Sequence, residues 1–286
     1  MAARPHRLWR QHRGAHLAVK RWTPSSHRPS RRWALVGLIL GALAALLVQA
    51  PARWLAGPLA EASSGHVQLA DTRGHLWDGS GVLVLTGGPG SRDASQLPGR
   101  VHWQLGWSGM QPELRLRSDC CSLSPLWVRL QRHEGLWRLH GPSSAEPFLR
   151  LPADWLSGLG TPWNTLQLGG QLKLISQDFQ LVRTDGSWQP RGALVAELQH
   201  LSSRVATVSP LGSYRLSLLA PAQGAAQLQL ATLDGALLLQ GQGRLGAPAG
   251  QRFQGDAQAA PGREAALDNL LNIIGRRQGA RSVITL

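Results

Sequence analysis

Residues able to do chemistry are spread along this 286-residue chain instead of being grouped. Gly241-Gln242-Gly243-Arg244-Leu245-Gly246 has the spacing of a dinucleotide fingerprint. That motif works only when its third glycine packs inside a helix whose N-terminus holds the pyrophosphate. Here Pro248, Ala249 and Gly250 follow, so the segment reads as a glycine-rich strand end. His133-Glu134 has no second histidine four positions after the first, which a zinc-binding helix needs. The other histidines beyond residue 55 (His66, His75, His102, His140, His200) show no ligand spacing. Gly106-Trp107-Ser108-Gly109 carries Met110 where a nucleophile elbow needs a glycine. The acidic residues stand apart, so a glycosidase pair could arise only by convergence in the folded chain. No residue is assigned a catalytic, cofactor-binding or metal-ligating role. The expectation is a protein that is not an enzyme, with no cofactor.

Cys120-Cys121 is the only cysteine pair. Neighbouring strand residues point to opposite faces, and adjacent cysteines close only a small strained ring. The pair therefore reads as two buried or partly buried thiols, with a vicinal or intermolecular disulfide as the other possibility. Of twelve tryptophans, nine follow residue 53. An exposed row of them would suit stacking on sugars or single-stranded nucleic acid. The reading taken is bulk filler in a β core.

The elements that must position these residues begin with a membrane segment. Ala34 to Val48 runs without a polar side chain. Trp33 and Trp54 flank it, where amphipathic aromatics anchor at headgroup level, and the basic flank ends in Arg31 and Arg32. Residues 1–33 hold nine basic residues and no acidic one, while Arg53 and Arg73 are the only cations close behind the segment. The positive-inside rule then puts the N-terminus in the cytoplasm. The division expected is a basic cytoplasmic tail at 1–32, a transmembrane anchor at 33–54 and a periplasmic β-rich domain at 55–286. A cleaved signal peptide competes with the anchor, but Pro51 would be its first mature residue and the basic lead is long for a signal. Most of the net charge of +14 belongs to the tail, leaving 21 basic and 16 acidic residues beyond it. That argues against a nucleic-acid binder.

Beyond residue 55, apolar and polar residues alternate in 99–105, 113–117, 126–130, 170–175, 213–218 and 226–231. Period two with one wet face means an antiparallel sheet. Arg115, Arg129 and Arg215 mark candidate edge strands. Asp234-Gly235 reads as a tight hairpin across which Leu228, Leu230, Leu237 and Leu239 share a face. Ala52–Ala62 reads as a prolongation of the membrane helix, and 152–156 as one short turn. The clear helix is 263–274, with Ala266, Leu267, Leu270, Leu271 and Ile274 at helical spacing, Gly275 as its C-cap, and a last strand at 282–286. The fold class expected is mainly β: one N-terminal transmembrane helix, then an exported, curved antiparallel sheet with one C-terminal α-helix.

Several segments in this order resemble a known family. They are Gly74-His75-Leu76-Trp77-Asp78-Gly79, Ser209-Pro210-Leu211-Gly212-Ser213-Tyr214, Leu233-Asp234-Gly235 with Gly241-Gln242-Gly243, Phe253-Gln254-Gly255, and Leu270-Leu271-Asn272-Ile273-Ile274-Gly275. From about residue 33 to 286 the chain resembles type II secretion system protein N, the general secretion pathway protein N. It departs at Ala236-Leu237, where the family usually has Pro-Leu, and at Pro261-Gly262-Arg263-Glu264, where it often has Pro-Glu. The resemblance implies a non-enzymatic inner-membrane subunit that helps folded proteins cross the outer membrane. Its partners would be other type II secretion subunits and the membrane, with no nucleic acid and no small-molecule substrate. The alternative is a membrane-anchored, lipid-handling protein with an apolar β-groove, of the AsmA kind.

Overall fold

The computed structural model describes residues 31–184, 186–245 and 252–285. Most of the basic tail therefore lies outside the described residues. The chain forms two compact units, Met1–Ala45 and Leu46–Leu286. Helix α1 (Arg31–Val48) fills the described part of the first and ends in the second. Its 18 residues span about 27 Å at 1.5 Å each, and it is the one described helix long and apolar enough to cross a membrane.

The chain beyond Val48 does not prolong α1. Pro51 lacks an N–H and disfavours a helical residue before it. Ala50 and Ala52 are instead buried on the second unit, and Leu76 N donates to Ala50 O at 2.7 Å. A 3₁₀ turn (Ala52–Leu55) and a short helix α2 (Ala56–Ala62) follow. Trp54 thus sits on its own turn, exposed, outside the helix that carries Arg31, Arg32 and Trp33.

Among the described residues, sixteen strands then form one sheet. They are β1 (Val67–Gly74), β2 (Asp78–Thr86), β3 (Ala94–Gln96), β4 (Val101–Ser108), β5 (Gln111–Ser118), β6 (Leu126–His133), β7 (Leu136–His140) and β8 (Leu149–Pro152). The second half has β9 (Leu168–Thr184), β10 (Ser187–Ser203), β11 (Gly212–Ala220), β12 (Ala226–Gly235), β13 (Leu237–Leu245), β14 (Arg252–Ala259), β15 (Arg276–Gln278) and β16 (Arg281–Thr285). The order runs β1-β2-β4-β5-β6-β7-β9-β10-β11-β12-β13-β14-β16-β15, with β3 on β2 and β8 on β9. Every pairing is antiparallel and the sheet does not close. A 3₁₀ turn (Ala153–Leu159) and a one-turn helix α3 (Trp163–Leu166) connect β8 to β9. Helix α4 (Glu264–Ile274) precedes β15.

Because side chains alternate, register alone assigns faces. Trp103 faces Leu116, Leu114 faces Val128, Leu130 faces Leu139, and Leu139 faces Leu181. Past a bulge where Asp178 and Phe179 oppose Gly192, Leu194 faces Leu218, and Leu218 faces Leu228. One face is therefore mainly apolar from β4 to β12. The other carries Gln104, Glu113, Arg115, Arg129, Arg215, Gln229 and Gln240. Leu228 and Leu230 share the apolar face with Leu237 and Leu239, as expected.

Asp234 and Gly235 are not the hairpin's turn. They stay in β12 and pair with Ser213 and Gly212 of β11. The two backbones meet where a Cβ on either glycine would collide with the other strand. The hydroxyl of Thr232 replaces the ladder there, donating to Leu239 O at 2.8 Å and accepting from Leu239 N at 2.6 Å.

The largest core lies at the end of the apolar face nearest this crossing. Leu166, Leu168, Leu201, Leu211, Tyr214, Leu237, Leu267, Leu270 and Leu271 are all buried there. Tyr214 donates to Leu237 O at 2.9 Å. Helix α4 brings Leu267, Leu270 and Leu271 from one face of its spiral. Gly275 is its C-cap, as expected, and leaves it in extended conformation. A Cβ there would sit 2.5 Å from Val283 O, so glycine serves close approach to β16. A smaller core (Leu97, Cys121, Leu151) lies at the same end, packed by Trp155 and Leu172.

Candidate interaction site

Faces, edges and cavities are what the fold offers for function. Among the described residues no group of three His, Cys, Asp or Glu is placed to hold a metal. His102 Nε2 lies 3.2 Å from Asp119, and His133 lies beside Glu134 in the β6–β7 turn. Gly241 and Gly243 are strand residues of β13, and the Phe253 ring occupies the space above them that a side chain would need.

The polar face is built on shared carboxylates. Glu113 is buried between Arg115 Nε and Arg129 Nε, each 2.5 Å away, and Arg129 stacks on Trp127 at 4.2 Å. Hydrogen bonds from Arg115 and then Arg129 hold the Glu113 carboxyl below its ordinary 4.5. Asp71 is held low by the Arg100 guanidinium, and Asp119 by the Arg100 backbone N–H. Burial, with Arg138 nearby, pulls His140 down.

The sheet's edges differ from those expected. Arg115, Arg129 and Arg215 lie on β5, β6 and β11, each flanked by strands on both sides. The two ends of the strand order are β1 and β15, and both are blunted. Val67 N donates to Ser63 Oγ, whose hydroxyl reaches Val67 O, and Arg100 caps Asp71 O at a bulge. Strand β15 has three residues, two of them arginine. Bulges, short strands and charge are how sheets discourage further pairing.

A cavity of about 860 Å³ opens beside the 153–159 turn, α3 and the end of β10. Asp93, Asp154, Asn164, Gln167 and Arg204 line it, so two of the scattered acids share one cleft. Asn164 Nδ2 donates to Asp93 at 3.0 Å, and Arg204 donates to Gln167 at 3.0 Å.

Cys120 and Cys121 are disulfide-bonded to each other, contrary to the free-thiol reading. They lie in the β5–β6 turn, not in a strand, so neighbouring side chains need not point to opposite faces. Cys121 is buried and Cys120 exposed. The tryptophans also depart from expectation. Trp103 is buried, but Trp77, Trp107, Trp137, Trp163 and Trp188 are exposed. Leucine fills the core instead, and Trp137 and Trp188 lie under the guanidinium groups of Arg132 and Arg183.

The β1–β2 turn ties the sheet to the end of α1. Trp77 Nε1 donates to Leu47 O at 2.8 Å, Trp103 Nε1 to Leu76 O at 3.1 Å, and Pro51 bridges His75. Gly74 has φ +85, and a Cβ on it would approach Asp78 O to 2.6 Å; one on Gly79 would approach the Trp103 ring equally closely. Glycine, tryptophan and glycine at this spacing are thus a joint between residues 47–51 and the sheet.

A helix long and apolar enough to cross a membrane thus precedes one large, open antiparallel sheet. The sequence profile of type II secretion system protein N matches residues 65–284, and the chain belongs to that family. No curated protein and no solved structure matches it. Membership ties the chain to type II secretion and to the other subunits of that machinery, as a structural component in a family not known for enzymes.

Proposed function

We propose that the chain is a non-catalytic subunit of the secretion machinery, with residues 1–32 in the cytoplasm, 33–54 in the inner membrane and 55–286 in the periplasm. It helps folded proteins cross the outer membrane by binding other subunits through the polar face of its sheet. The supporting observation is that face itself: a ladder of arginine and glutamine across β4 to β13, charged and open, on a member of this family. Complementary charge steers partners and fixes their orientation. A single anchor confines every encounter to the membrane plane, so weak contacts suffice. Photo-crosslinkers at Arg117 and Gln229, in cells running the machinery, test this. Crosslinks to secretion subunits support it. Crosslinks to lipid alone, with secretion unchanged on deletion, sink it.

That second outcome has its own supporting observation. Leu105, Leu114, Val128, Leu139, Leu181, Leu194, Leu218 and Leu228 are only half-buried along the apolar face. The face closes on a core at one end and stays open along its middle, as a lipid-handling groove would.

A further inference from the structure

We infer that one end of the sheet docks on the bilayer its helix crosses, through a rim of tryptophan and arginine at the hairpin tips. Register puts the β1–β2, β4–β5, β6–β7 and β9–β10 turns at one end of the strands. It also puts Trp107, Trp137 and Trp188 on the apolar face at that end, paired with Pro112, Arg132 and Arg183. They are 72%, 41% and 42% exposed, and Met110 at the β4–β5 tip is 95% exposed.

Tryptophan with an open indole edge beside a guanidinium suits the boundary where hydrocarbon meets phosphate. An aqueous protein partner would suit the same side chains less directly, because of where the chain leaves α1. Leu47, Ala50 and Pro51, the residues on which the chain leaves α1, hydrogen-bond to the β1–β2 turn at this same end. The chain therefore leaves its apolar helix at the same end of the sheet as the rim. The occupant is the headgroup layer of a bilayer rich in anionic phospholipid, met by Arg132 and Arg183. The half-buried leucines of the apolar face begin directly behind the rim, so acyl chains have a continuous apolar path from bilayer to sheet.

This inference rests on α1 spanning a membrane, and the test separates the two. The full chain is reconstituted in vesicles of phosphatidylethanolamine and phosphatidylglycerol. An environment-sensitive fluorophore is placed on Met110→Cys or, as the matched control, on Leu123→Cys, which is exposed at the opposite end of the sheet. Flotation reads the anchor; quenching by nitroxide-labelled acyl chains reads the rim. The expected result is flotation of both, with the Met110 probe quenched about threefold more than the Leu123 probe. Trp107→Ser, at a solvent-facing position, should then lower the Met110 signal by about half. Flotation with equal, weak quenching overturns the rim and leaves the anchor standing. Loss of flotation overturns the anchor and the rim together. Unchanged quenching in Trp107→Ser overturns the role given to the tryptophans.

Discussion

The two ends of the sheet are built on different physics. At one, α4, α3 and the 153–159 turn fold over the apolar face, and eight leucines and Tyr214 are buried. At the other, large side chains face outward at the strand ends, among them Trp107, Met110, Trp137 and Trp188. The cohesion there comes from Glu113 between two arginines and from the hydrogen bonds of Trp77 and Trp103. A domain that spent the same core on both ends would be a sandwich or a barrel. This one has its largest buried core at the closed end and exposed tryptophans at the other.

The largest expected effect follows directly. Leu270 is 2% exposed, so Leu270→Ala removes buried methyl groups and leaves a cavity, costing about 3 kcal/mol. Leu139, on the apolar face of the sheet, is half-buried, and Leu139→Ala should cost about 1 kcal/mol. Urea unfolding of the full chain in detergent measures both. Equal losses would mean that the middle of the apolar face is as well packed as the closed end, and would remove the basis for an open groove.

The next effect is on pH. Glu113 is held below its ordinary 4.5 in the folded chain, so its contribution is fully present above that value. It is lost as pH falls through the folded value, because the unfolded chain then takes up the proton more readily. Asp71 and Asp119, below their ordinary 3.8, act in the same direction. Acid should therefore loosen β4–β6 before the helix-capped core. Hydrogen exchange at neutral pH and about pH 3 reads the order of loss. Glu113→Gln should lower stability at neutral pH and flatten the acid limb. Exchange that rises first in α4 would reverse the assignment of the two ends.

This contrast also explains what could be read from the sequence. Alternation in 113–117 and 226–231 marks β5 and β12 because each has one wet face and one apolar face. Leu267, Leu270 and Leu271 mark α4 because its burial is one-sided. Which strands are edges is set by pairings across the whole chain, and so Arg115, Arg129 and Arg215 misled. Asp234-Gly235 carries a turn signature, yet the glycine serves the crossing with Gly212, 23 residues earlier. The tryptophans misled because composition tells size and not side. Trp103 and Trp107 lie on one face of one strand, but only Trp103 is covered, by the turn that follows β1.

Trp107 supplies the smallest expected effect and the sharpest use of the comparison. Its side chain is 72% exposed, so the folded chain gains little from it that the unfolded chain lacks. Trp107→Ser should shift unfolding stability by no more than about 0.5 kcal/mol, as surface substitutions do. Serine is also a poorer strand residue than tryptophan, which sets the sign toward slight loss. The same ring, placed at strand Trp103, would be indispensable, because there it seals the Gly79 joint and donates to Leu76 O. A loss above about 1 kcal/mol for Trp107→Ser would show that the tip packs against the sheet in solution. A near-zero change in detergent, together with weaker association of the tip with vesicles, would mean that a side chain this large and apolar is kept for what lies outside the protein.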